Sequence, residues 1–114
     1  MKITNFNNGI LLADRAVLAT SFTKRLIGLL KHKSLAEGEA LILKPSNSIH
    51  TFFMRFSIGV LFLDRDNKVI AAYDCIKPFR LSPVYFNALS VVEFPAGIIN
   101  KTGIKKGDLV SFSE

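Results

Sequence analysis

Apolar residues along this chain fall into short runs separated by turn-forming residues, the pattern of many short strands rather than of helices. Lys2–Phe6 and Gly9–Ala13 lie on either side of Asn7-Asn8-Gly9. Asn-Gly tolerates the positive φ angles of a tight hairpin, so these two runs are read as paired strands. Val17–Ala19 continues this meander or pairs with it. Glu39–Lys44 is a further apolar run, closed by Pro45, and Ile49–Phe56 reads as the next strand. Gly59–Leu63 and Lys68–Tyr73 bracket Asp64-Arg65-Asp66-Asn67, a second hairpin. In the first of these two strands Leu61 and Leu63 face one way while Val60 and Phe62 face the other, so both faces are covered and the strand is central. Leu89–Phe94 and Leu109–Phe112 are late strands. Between them lie Pro95-Ala96-Gly97 and a short turn or helix that ends at Gly103.

The period changes once. Phe22, Leu26, Leu29 and Leu30 recur at helical spacing after Thr20 or Ser21, either of which can cap a helix N-terminus. Lys31, His32 and Lys33 then meet the negative end of the helix dipole. One helix near residues 21–31 among many strands predicts a mainly β, single-domain sandwich or barrel with minor helical turns, spanning residues 1–114. The loops around Pro45–Ser48 and Pro78–Pro83 are expected near one end of it.

Composition adds limits. The 114 residues are 49% hydrophobic, with ten Phe and two Tyr, which fits a packed core and excludes a disordered chain. The only cysteine is Cys75, so no intrachain disulfide forms. The first residues lack the apolar region of a signal peptide, and no apolar run is long enough to span a membrane. A cytoplasmic location without a membrane partner is the expectation, as a monomer or weak homo-oligomer. The net charge of +6 is compatible with anionic partners. Lys24, Arg25, Lys31 and Lys33 make one acid-free cluster, and the other basic residues are scattered over what reads as solvated surface.

Candidate chemistry sits where polar residues interrupt apolar runs. In an extended Ile49–Phe56 strand, His50 shares a face with Phe52, Met54 and Phe56, an aromatic setting for a binding or catalytic imidazole. Arg55 points the other way with Phe53, suited to clamp an anion or stack on a ring. Glu93 interrupts Val91-Val92-Glu93-Phe94 and is the natural partner for Arg55; the competing reading has it facing water. Arg80 lies in the proline-bracketed loop, where a rigid β scaffold often carries binding residues. The expected ligand-binding set is therefore His50, Phe53, Arg55, Arg80 and Glu93. No nucleophile elbow, phosphate-binding loop or dinucleotide fingerprint occurs. Two His and one Cys do not build a closed zinc site, and Asp64–Cys75 departs from a calcium loop at Val69 and Cys75. No metal and no cofactor are expected.

Four blocks resemble a known family. They are Arg25 with Gly28-Leu29-Leu30; His50-Thr51-Phe52-Phe53-Met54-Arg55-Phe56; Ile58 through Asp64; and Glu93-Phe94-Pro95-Ala96-Gly97 with Gly103-Ile104 and Gly107-Asp108. Together they resemble the uncharacterised bacterial and archaeal domain-of-unknown-function family 192. The resemblance implies a small β-sandwich of jelly-roll type with short helical decoration, and it implies no reaction. Many relatives carry an export signal or lipid anchor, which the start of this chain does not resemble. Ser57 and Gly59 stand where the family commonly has Pro and Asp, so Gly59 supplies no acid here.

Three functions follow from these residues. The leading one is a non-enzymatic module that binds a small anionic or sugar-like ligand among aromatics and the His/Arg/Glu set. The second is a nucleic-acid binder using the basic helix, although no aromatic platform is interleaved with that cluster. The third is a hydrolase or transferase with His50 as base, oriented by Glu93 or Asp74.

Overall fold

The computed structural model describes residues 1–19, 35–51 and 54–114. The expected helix near residues 21–31, the basic cluster it carries and Phe53 lie outside them.

Asn7-Asn8-Gly9 does turn the chain between β1 (Lys2–Asn5) and β2 (Leu11–Ala13), which pair antiparallel. Gly9 has a φ of 76°, and the Asn5 and Asn8 side chains accept backbone N–H bonds two residues on. The far edge of β1 pairs with β8 (Val110–Ser113), giving a three-stranded sheet in the order β2-β1-β8. A second, five-stranded sheet has the order β3-β4-β7-β5-β6, built from β3 (Arg15–Ala19), β4 (Glu39–Leu43), β5 (Ile58–Leu63), β6 (Val69–Ile76) and β7 (Ser90–Pro95).

β5 lies between β7 and β6 and is buried at every residue, as its two apolar faces require. In the β5–β6 turn Asp64 Oδ1 accepts the N–H bonds of Asp66 and Lys68, and Asn67 takes the left-handed φ that ends the turn. β3 does not extend the first hairpin. It joins the larger sheet parallel to β4, through a connection (residues 20–38) of the length that parallel pairing demands. That parallel pair is one departure from an all-antiparallel jelly roll.

The two faces of the five-stranded sheet carry separate apolar clusters. One packs Leu61, Leu63, Val92, Phe94 and Ile42 against Ile3, Leu12 and Val110 of the smaller sheet, which makes the molecule a mainly β, two-sheet sandwich. The short helix α1 (Ile98–Thr102) closes this cluster with Ile98 and Ile99. Gly103 ends α1 in the left-handed conformation, donating to the Ile99 carbonyl. Asp108, of the Gly107-Asp108 block, is buried and accepts bonds from Asn5 Nδ2 and Lys105 N, both at 3.1 Å. This block is thereby the clasp between β1 and the turn before β8.

The other face packs Val60, Phe62, Val91, Leu43 and Ile58 with Met54, Tyr73, Tyr85 and Ala88. Its cover includes a strap, residues 77–89, that runs back along residues 46–51. The N–H groups of Ser46 and Tyr85 donate across to Leu89 O and Asn47 O, and Ser82 N–H donates to Ile49 O, each at 2.9 Å. The Pro45–Ser48 and Pro78–Pro83 loops are therefore neighbours, as read from the sequence.

One strand expected from the sequence is not formed by the described residues. Within Ile49–Phe56 the described residues form only an isolated bridge, His50 to Leu81. The alternation belongs to an irregular segment organised by Thr51. Its buried hydroxyl donates to Lys77 O at 2.7 Å and accepts from Arg80 N–H at 2.8 Å, while its N–H donates to Arg80 O. Cross-links of this side-chain kind satisfy the backbone locally, in place of a strand ladder.

Candidate functional site

The residues expected to form a site do not share one environment. His50 and Leu81 are antiparallel bridge partners, so their side chains project to the same side, and both are exposed. His50 is therefore not enclosed by apolar side chains, and Phe52, which strand alternation put beside it, lies outside the described residues. Arg55 and Arg80 are exposed as well. Glu93, by contrast, is only 1% exposed, so the reading in which it faces water is overturned. It engages a partner there. Cys75 is exposed.

Register explains the burial of Glu93. It stands opposite Leu41 of β4 and Val60 of β5, and Val60 in turn stands opposite Tyr73 of β6. Directly opposed residues share a face, so Leu41, Glu93, Val60 and Tyr73 form one transverse row on the face that the strap covers. At the outer end of that row Tyr73 meets Tyr85 from the strap. Their hydroxyls hydrogen-bond to each other. Phe62 backs both rings, edge-on to Tyr73 with centroids 6.0 Å apart and tilted against Tyr85 at 4.5 Å. The Tyr73 hydrogen bond, with a smaller contribution from burial, pushes the Tyr85 phenol up to about 12. Tyr85 is therefore a neutral phenol throughout the physiological range.

Tyr73 and Tyr85 flank a concavity of about 530 Å³ that wraps the outer edge of β6. Its opposite wall is Ile99 and Asn100 of α1, with Ile104, Lys105 and Lys106 beyond it. Asp74 at the rim is already committed: its Oδ1 accepts Asn100 N–H at 2.8 Å, which fixes α1 against β6. Gly59 supports the same junction. A Cβ there would stand 3.2 Å from Asp74 O, 3.3 Å from Ile99 Cδ1 and 3.4 Å from Pro95 O. The strand and helix approach this closely because residue 59 has no side chain.

Two other concavities are lined wholly by described residues. One, of about 250 Å³, holds Arg15, Glu37 and Lys101. Its charges satisfy one another: Lys101 donates to Glu37 and holds that carboxyl below its usual range, and Arg15 donates to Glu37 O at 2.9 Å. The other, of about 210 Å³, is a mostly apolar recess around Leu18, Ile42 and Phe112. Of these three, the β6 concavity is the one that sets two phenols and two lysines around its opening. Sequence reasoning missed it. Tyr73 and Tyr85 are the chain's two tyrosines, which was a signal, but nothing local indicates that the strap brings them together.

A family model covers residues 3–112 and describes its members as uncharacterised. The chain belongs to domain-of-unknown-function family 192. A UPF0127 protein of Thermococcus kodakarensis is 30% identical over 97% of this chain and 73% of its own length. A UPF0127 protein of Pyrococcus furiosus is 33% identical over 83% of this chain and 84% of its own. Among solved structures, a protein of unknown function from Novosphingobium aromaticivorans superimposes with a TM-score of 0.81 at 21% identity, covering 97% of this chain and 82% of that one. These relatives establish family and fold and assign no reaction. Among the described residues no helix is long and apolar enough to cross a membrane, and no group of three or more His, Cys, Asp or Glu is placed to hold a metal ion.

Proposed function

We propose that the protein is a small-molecule binding module and that the concavity at Tyr73 and Tyr85 receives the ligand. The observation that carries this reading is the paired phenols at the mouth of a recess whose far wall bears Lys105 and Lys106. One hydroxyl donates to the other, which leaves the accepting hydroxyl's proton to offer to a ligand oxygen. The ring faces suit an apolar or sugar face, and the ammonium groups suit an anionic substituent, so the ligand class is a small anionic or sugar-like compound. Glu93 belongs to this site as a support, buried on the same row as Tyr73 with Val60 between them. Arg55 and Arg80 have a different surface role, argued below.

A thermal-shift screen of the full chain against simple sugars, sugar phosphates and small carboxylates tests the proposal. Stabilising compounds should lose their effect in Tyr85→Ala and in Lys105→Ala/Lys106→Ala. Compounds that stabilise these variants as strongly as the wild type would remove the concavity from the account.

The other two readings draw less support. His50 is exposed beside the strap, whereas Asp74 is bound to α1 on the opposite face of the sheet and Glu93 is buried in the row that the strap covers. The basic helix lies outside the described residues.

A further inference from the structure

We propose that the outer surface of the 77–89 strap docks on an anionic lipid bilayer. The strap turns Tyr85 and Ala88 inward onto the Phe62 cluster. Its outward residues include Phe79, Leu81, Val84 and Phe86, exposed by 69%, 71%, 50% and 89%. Single exposed apolar side chains are ordinary on a soluble domain. Four large ones within one eight-residue stretch of a pinned strap are a local concentration of exposed apolar side chains.

Two features select a bilayer as the occupant. First, side chains this exposed protrude, so the matching surface must admit them. The headgroup layer does so without preformed pockets. Second, the charge around them has one sign. The strap (residues 77–89) and the segment it is pinned to (residues 45–57) hold Arg55, Lys77 and Arg80 and no Asp or Glu. All three are exposed. Each basic residue brought to an anionic membrane surface raises affinity by about fivefold, and the effect is screened by salt.

The strap is also preorganised. Thr51 anchors its start at Lys77 and Arg80, Ser82 is bonded to Ile49, and Leu89 accepts from Ser46. Phe79 is held at a φ of 61°, a conformation non-glycine residues seldom adopt, so its outward presentation is set by the fold. Little ordering is left to be done on contact. The protein would lie on the bilayer without crossing it. The sequence-based expectation of no membrane partner rested only on the lack of a spanning segment and does not speak to this surface.

Vesicle co-sedimentation with the full chain tests the proposal, using phosphatidylcholine alone and phosphatidylcholine mixed with phosphatidylglycerol. The wild type should bind the mixed vesicles, at least about tenfold more weakly to the neutral ones, and release on addition of salt. Phe79→Ser/Phe86→Ser and Lys77→Glu/Arg80→Glu should each weaken binding by about tenfold or more while retaining the wild-type circular dichroism spectrum. Lys101→Glu, on α1 across the sheet, should bind as the wild type does. Failure to bind the mixed vesicles overturns the proposal, as does binding that survives both double substitutions. Retention only by acidic proteins would overturn it too, by showing that the surface serves a protein partner.

Discussion

The Tyr73 and Tyr85 hydroxyls hydrogen-bond to each other although one residue belongs to the edge strand β6 and the other to the strap that closes the sheet face beside it. The contact ties the strap to the sheet and sets the mouth of the candidate site.

That bond should be visible in the tyrosine titration. Because Tyr73 is the largest cause of the raised Tyr85 value, Tyr73→Phe should return Tyr85 from about 12 toward the ordinary 10.0. The substitution leaves Tyr85 as the only phenol in the chain, so phenolate absorbance reads it alone. The sign of the linked stability follows. A group that holds its proton more tightly when folded contributes fully below its unfolded value, so wild-type stability should fall between about pH 10 and pH 12. Two phenols that both titrate near 10 in the wild type would contradict the contact.

Thr51→Val keeps the side-chain shape and removes the hydroxyl that serves Lys77 O and Arg80 N–H. Leaving these strap groups unsatisfied should cost about 1–3 kcal/mol in chemical denaturation. Amide exchange at Arg80 should accelerate in the same variant. Unchanged stability together with unchanged exchange would show that the strap is held by something else.

Much of this fold was legible in the sequence, for identifiable reasons. Asn7-Asn8-Gly9 and Asp64–Asn67 are turns whose chemistry is entirely local, and both hairpins formed where expected. The two apolar faces of Gly59–Leu63 reported its central position correctly. Ile49–Phe56 misled because its alternation mimics a strand, while the deciding bonds join Thr51 to residues more than twenty-five positions away. His50 inherited that error. Glu93 was recognised as an unusual acid in an apolar run, yet its burial depends on having Leu41 and Val60 as neighbours across two strands, which no local pattern encodes. The tyrosine pair was invisible for the same reason.

Gly59 is a further case in which neighbours decide. The family resemblance implies that Asp is common at this position, but here a Cβ would stand 3.2–3.4 Å from Asp74 O, Ile99 Cδ1 and Pro95 O, so its neighbours would have to give by a few tenths of an ångström. Gly59→Asp should destabilise the protein by about 2 kcal/mol or more, from overpacking and from a carboxylate set against carbonyl oxygens. Adding Ile99→Ala should recover part of the loss. Thermal denaturation of the single and double variants decides it. A fully stable Gly59→Asp would mean that β5 and α1 separate more readily than their packing indicates.

The most direct test of the proposed site is two-dimensional amide NMR of the full chain, titrated with whichever sugar phosphate or carboxylate gives the largest thermal shift. The account predicts perturbations concentrated at residues 70–74, at Tyr85, at Ile99 and Asn100 and at residues 104–106, which line the concavity beside β6. Perturbations centred instead on His50, Arg55 and Arg80, with the Tyr73 and Tyr85 amides unmoved, would contradict it.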